Sequence, residues 1–193
     1  MATIGLDNLF YAPITVSGDG DFETYGTPIR LAKAITVDLA IDILEATLFA
    51  DDGPDIVVKE WGGGNLTINV NDIGDLVAQD LTGATIDGNG VLVSTSEDGG
   101  DPVAVGFRAK KGGSDTYRYF WLYKVKFATP STSLQTKGDT ITFQTPTIVG
   151  TLMRRNRPDA RGQHPWKVEA TESPAIDPTI IKGWYTSVYE PDI

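Results

Sequence analysis

Three short stretches gather carboxylates onto turn-forming residues: "GDGDFE" at Gly18 to Glu23, "FADDGPD" at Phe49 to Asp55, and "SEDGGD" at Ser96 to Asp101. Hard oxygen ligands on tight turns are how calcium is held. None of the three has the twelve-residue loop that ends in a bidentate glutamate. Aspartate and glycine also suit turn geometry and solvent for their own reasons, so no specific metal site is expected.

Other chemistry finds few candidates. His164 is the single histidine and lies in "RRNRPDARGQHPWK", a polar, proline-broken stretch that reads as an exposed hairpin tip. A Ser-His-Asp triad through it needs partners that nothing in the sequence selects. Carboxylates are too many for any glycosidase pair to stand out. There is no cysteine, hence no thiolate nucleophile, thiolate metal site or disulfide. "WGGGN" at Trp61 to Asn65 lacks the Gly-Lys-Ser/Thr ending and the following helix of a phosphate cradle. It is expected to be a flexible loop entering a strand. No catalytic residue and no cofactor is therefore assigned.

Aromatic residues offer binding surfaces instead. Trp121 in a central strand is expected in the core. Trp61 and Trp166, beside glycine or proline in loops, could be sugar-stacking or protein-interface anchors.

These residues must be positioned mainly by β-structure. "AITVDLAIDI", "NLTINVN" and "PVAVGFRAK" alternate apolar and polar residues with period 2. "TYRYFWLYKVKF" puts Tyr117, Tyr119, Trp121, Tyr123, Val125 and Phe127 on one face and also carries Phe120 and Leu122 on the other. It reads as a central strand covered on both sides. Alternation returns from Ile141 to Val149, with Pro146 favouring an edge or a bulge. "DGNG" at Asp87 to Gly90 predicts a tight hairpin turn, and "KKGGSD" and "SEDGGD" longer ones. Helical spacing predicts a short helix over about 72–82, capped by Asn71 or Asp72, and a C-terminal helix over about 178–189 with Asp177 as N-cap and Pro178 at N1.

The whole of residues 1–193 is expected to form one domain. Its class is α+β, mainly β: an antiparallel sandwich or partly closed barrel with one or two short helices. No window approaches a membrane span and no leader pattern opens the chain, so a soluble protein with no membrane partner is expected.

The net charge of −10 argues against affinity for the outside of nucleic acid. Its distribution says more. Residues 1–106 carry 3 basic and 18 acidic side chains, whereas residues 107–193 carry 13 basic and 8 acidic. Such asymmetry can draw copies together head to tail, unless the two halves interleave and their fields cancel.

Several collinear stretches together resemble the major tail proteins of long, non-contractile-tailed bacteriophages, in particular the phi13-type group. They are "GLDNLFYAPIT", "YGTPIRLAKAIT", "ATLFADDGP", "TIDGNGVLV", "VAVGFRAKK", "YRYFWLYKVKF", "FQTPTIVGT" and "GWYTSVY", spread over nearly the whole chain. The resemblance implies the tail-tube fold, a β-sandwich with a flanking helix and a long inter-strand loop. It implies a structural virion protein, not an enzyme, made in the bacterial host cytoplasm. Its subunits would form hexameric rings stacked into a tail tube on a tape-measure protein. Tail terminator or distal tail proteins would meet the tube ends, and double-stranded DNA would pass through without specific binding. An acidic lumen would let the duplex slide.

The long loop that the family uses to reach a neighbour is assigned to about 41–61, which looks too long and irregular for a hairpin. Its charge and glycine content predict disorder in the free subunit. Candidate contacts between subunits or rings are Asp42, Glu45, Asp51, Asp52, Asp55 and Trp61, together with Arg154, Arg155, Arg157 and Arg161. The arginine-rich hairpin "MRRNRPDARGQHPWK" is longer than the family pattern, and its arginines could pair with a neighbour's acids or stay solvated. The alternative from another class is a sandwich module that binds carbohydrate on a phage or cell surface.

Overall fold

Period-2 alternation is clearest over residues 66–70, which pair with other strands on both sides. Leu66, Ile68 and Val70 are fully buried, while Thr67 and Asn69 between them face the other way. The computed structural model describes residues 2–16, 22–136 and 143–192. Its strands are β1 (Thr3–Val16), β2 (Glu23–Tyr25), β3 (Ile29–Ala32), β4 (Ala34–Ala50), β5 (Gly53–Val70), β6 (Thr85–Ile86), β7 (Leu92–Val93), β8 (Val103–Lys111), β9 (Tyr117–Phe127), β10 (Thr147–Met153) and β11 (Lys167–Thr171). Two short helices, α1 (Asp75–Thr82) and α2 (Pro178–Gly183), complete the described elements.

All named pairings are antiparallel, and the main sheet runs β2-β1-β8-β9-β10-β5-β4. β3 pairs with β1 and passes through Lys33 into β4, so one stretch of chain serves both ends of this path. The result is the mainly β, α+β architecture expected. One face encloses a core of Leu9, Tyr11, Leu66, Ile68, Val105, Leu122 and Ile148, joined by Leu81 of α1. The opposite face of β1, β8 and β9 buries Trp121, Tyr119 and Tyr123 under Trp184 and Val188. The Trp121 indole N–H donates to the Trp184 carbonyl at 2.9 Å, which satisfies the one polar atom of a side chain with no solvent exposure.

Several expectations need correction. Residues 41–61 are not an irregular loop: β4 and β5 pair continuously from Ala34↔Val70 to Ala50↔Gly53, a hairpin closed by Asp51 and Asp52 alone. "WGGGN" is not a loop before a strand but the interior of β5. Asp42 faces Gly63 while Ile43 faces Trp61, so Gly62 is the extra residue of a bulge. Gly63 has φ 117, and a Cβ on Gly64 would lie 2.4 Å from the Ala40 carbonyl oxygen.

The aromatic strand β9 also departs from simple alternation. Val103 and Val105 face Val125 and Leu122, so β9 carries an extra residue between them. Val125 and Phe127 thereby leave the face of Tyr119, Trp121 and Tyr123 and join the opposite core. The strand is central and covered on both sides, as expected, with β8 along one edge and β11 then β10 along the other.

The N-cap of α1 is Gly74, not Asn71 or Asp72: the Asn71 side chain accepts from the Lys33 N–H and Asp72 from the next residue's N–H. α2 starts as expected, with the Asp177 carboxylate accepting from the Thr179 N–H, but ends at Gly183. Beyond it a turn seats Trp184 and Val188. The Asp87–Gly90 hairpin is as expected, with the Asp87 carboxylate accepting from the Asn89 and Val91 N–H groups. The strand anticipated from Ile141 lies partly outside the described residues, and β10 starts immediately after Pro146.

One buried charge ties distant segments together. The Glu23 carboxylate has no solvent exposure and accepts from Lys124 Nζ at 2.7 Å and from the backbone N–H groups of Asn156 and Arg157 at 2.9 Å. Burial alone would raise its pKa; these donors outweigh that and hold it below the usual glutamate value. A lowered folded-state pKa contributes stability that is complete above the unfolded value, roughly 4.3, and is lost as pH falls through the folded one. Glu23→Gln should therefore cost roughly 3 kcal/mol at neutral pH by leaving Lys124 and two N–H groups underpaired. The gap to the wild type should narrow on acidification, as read by urea midpoints across a pH series.

Candidate functional site

A β-hairpin needs a turn whose twist matches its strands, and a two-residue loop does this with positive φ at both positions. Asp51 and Asp52 supply it, with φ 49 and 62. Aspartate tolerates this region better than most residues because its short side chain can bond locally. In "FADDGPD" two of the three acids thus serve the backbone: they make the turn. Asp55 sits just behind, where Leu48↔Ile56 gives way to Phe49↔Pro54 and one residue is left over. Among the described residues no group of three or more metal-ligating side chains occurs.

Beyond the bulge at Gly62 the two strands leave the core as a ribbon. Opposed residues and those two apart share a face. One face therefore presents Leu44, Ala46, Leu48, Ile56 and Val58, interrupted by Glu60, and the other presents Ile43, Glu45, Thr47, Val57 and Lys59. Leu44 is 62 % exposed and Phe49 69 %, and Ile43, Leu48, Ile56, Val57 and Val58 are also exposed. The sequence carries part of this: Leu44, Ala46 and Leu48 alternate with Glu45 and Thr47, whereas "IVV" at Ile56 to Val58 is apolar on both faces. Glycine, proline and acids at the tip masked it.

The structure distributes the sequence-derived contact residues unevenly. Asp42 lies at the basal bulge and Glu45 pairs with Lys59 across the ribbon at 3.0 Å. Both charges of that pair stand largely in water, so the bond itself adds little. Trp61, at the base, stacks on Trp166 with ring centroids 5.6 Å apart and planes 15° apart, and it packs against the core. The two rings thus cover each other, which loops alone did not suggest.

Of the four arginines, Arg155 belongs elsewhere: it is 1 % exposed, donates to Glu190 at 2.6 Å and lies over the Tyr123 ring at 4.5 Å. It is neither solvated nor open to a neighbour. Arg157 is exposed, 3.8 Å from the other Glu190 oxygen, and Arg161 bonds Asp159 within its own loop at 3.0 Å. Arg154 is exposed and makes no ion pair among the described residues.

Arg154 and His164 stand at a groove beside the base of the ribbon, about 590 Å³ in volume, with Trp61, Trp166, Leu152 and the bare backbone of Gly62 and Gly63. Among its described lining residues there is no serine or carboxylate, so no triad forms around His164 here. No family model matches the sequence, and no curated protein matches it.

The different environments of neighbouring arginines give a direct check. Arg155→Ala should lower stability by about 3 kcal/mol, since it strips the partner from a half-buried Glu190. Arg154→Ala should change it by less than about 0.5 kcal/mol. Urea unfolding of the two variants reads both. Calcium or a chelator should leave the wild-type melting temperature unchanged.

Proposed function

We propose that this chain is a tail-tube protomer of a long, non-contractile-tailed bacteriophage, and that its activity is self-assembly into stacked hexameric rings. The observation that carries this reading is the bare β4–β5 ribbon. An isolated two-stranded hairpin is marginal in water, and monomeric proteins rarely leave apolar patches of this kind uncovered. Here seven large apolar side chains stand exposed on such a ribbon. A neighbouring subunit that covers them gains their burial and stabilises the ribbon at once.

Two further features support the reading. The collinear stretches that resemble the phi13-type tail proteins include the ribbon's own "ATLFADDGP". The acidic first half and basic second half suit a contact in which one patch meets a different patch on the next copy, the kind that closes rings. The tape-measure protein, the terminator and distal tail proteins and the passing DNA enter as partners through the same resemblance, as does residence in the virion.

The expected outcome is rings or tubes in negative-stain images of the purified protein over a concentration series. Leu48→Lys with Ile56→Lys should abolish them while leaving the circular dichroism and melting of the subunit unchanged. A persistent monomer that is retained on a polysaccharide column would replace this reading with carbohydrate binding. A tube map with a basic lumen would overturn the acidic-conduit part alone.

A further inference from the structure

We propose that the groove beside Trp61 receives the tip of the β4–β5 ribbon from a second copy of this chain. The inference rests on the assembly reading above and narrows it to a pair of surfaces.

The two surfaces differ in sign and match in kind. The tip offers Leu48 and Phe49, both exposed, beside Asp51, Asp52 and Asp55, none of which has an ion-pair partner among the described residues. The groove offers the Trp61–Trp166 stack and Leu152 as apolar wall, with Arg154 and His164 exposed at its margin. Arg154 has no carboxylate partner among the described residues, so a carboxylate brought by a neighbour completes it without displacing one of these. At about 590 Å³ the groove falls within the size range of pockets that take a drug-sized ligand. That is room for an aromatic side chain with an acidic turn beside it. Gly62 and Gly63 matter because side chains there would narrow it.

Geometry excludes the tip of the same chain. The groove is at the foot of the ribbon, and β5 runs without interruption from Gly53 at the tip to Gly62 at the foot. At the usual rise per strand residue this separates them by roughly 30 Å. The occupant must be another copy. A tip seated in a neighbour's groove leaves the neighbour's tip free for a third subunit. The contact is heterologous and propagates until it closes into a ring or continues as a filament. Charged groups steer such an encounter, and the buried aromatic anchors hold it.

The absence of cysteine makes the test clean. Asp52→Cys and Gln163→Cys each place one thiol, the first at the tip and the second at the groove, on otherwise intact full-length protein. The two variants are mixed at a concentration where the wild type assembles, and a short bis-maleimide is added. The expected result is a covalent dimer that contains one copy of each variant, told apart by mass. The double variant should give a ladder of higher multimers.

Charge reversal provides an independent arm. Asp55→Lys, which leaves the two positive-φ turn residues intact, should raise the concentration required for assembly severalfold, and adding Arg154→Glu in the same chain should recover most of that loss. Wild-type rings or tubes without the mixed cross-link, or a charge-reversed tip that Arg154→Glu fails to rescue, would overturn this docking and leave the assembly reading standing. A wild type that remains monomeric at every concentration would overturn both.

Discussion

The β4–β5 ribbon depends on a close approach of two backbones at residues 62–64. Strands β4 and β5 form the wall of the core at one end and a ribbon in water at the other, and their pairing crosses that boundary through the bulge at Gly62. A side chain at Gly64 would meet the Ala40 carbonyl, and one at Gly62 would lie 2.8 Å from the Leu44 side chain. Three glycines in succession allow the bulge, the bend and the close packing together. Entropy argues against such a run in a strand, so its presence at the foot of the ribbon marks a place where shape outweighs local propensity.

The same constraint accounts for where charge is found. A ribbon with no core cannot bury an ion pair, and Glu45 with Lys59 stays in water. The buried charges Glu23 and Arg155 lie instead in the body of the domain, where backbone donors and a facing ring can satisfy them. Glu23 joins β2 to β9 and to the segment after β10, and Arg155 joins that segment to the C-terminal stretch. Glu23 is fully hydrogen-bonded in this role, whereas Arg155 keeps its Nε without a hydrogen-bond partner among the described residues.

Much of the body was legible in the sequence because alternation and burial agree there. Leu66, Ile68, Val70, Val103, Val105 and Phe107 face the core as their spacing predicts. Trp121 is fully buried as expected. Where reading by period alone went astray, a bulge intervened: one extra residue in β9 moves Val125 and Phe127 to the other face, and no local signal marks it. The ribbon was misread for a different reason. Proline, glycine and three acids at 51–55 signal a loop, although two aspartates with positive φ suffice to turn a hairpin. Arg155 could not be told from its neighbours, because burial of one arginine in an arginine-rich segment is decided by Tyr123 and Glu190, which lie far from it in sequence.

The pairing of the foot of β5 with β10 also has a mechanical consequence. Hydrogen bonds in an antiparallel pair run perpendicular to the strands. A pull along the ribbon therefore loads the β5–β10 rungs from Gly64↔Leu152 to Asn69↔Thr147 together, in shear, instead of opening them one after another. The ribbon is anchored to its domain as a lapped joint is, by overlap, and resists traction along its length far better than a sideways peel.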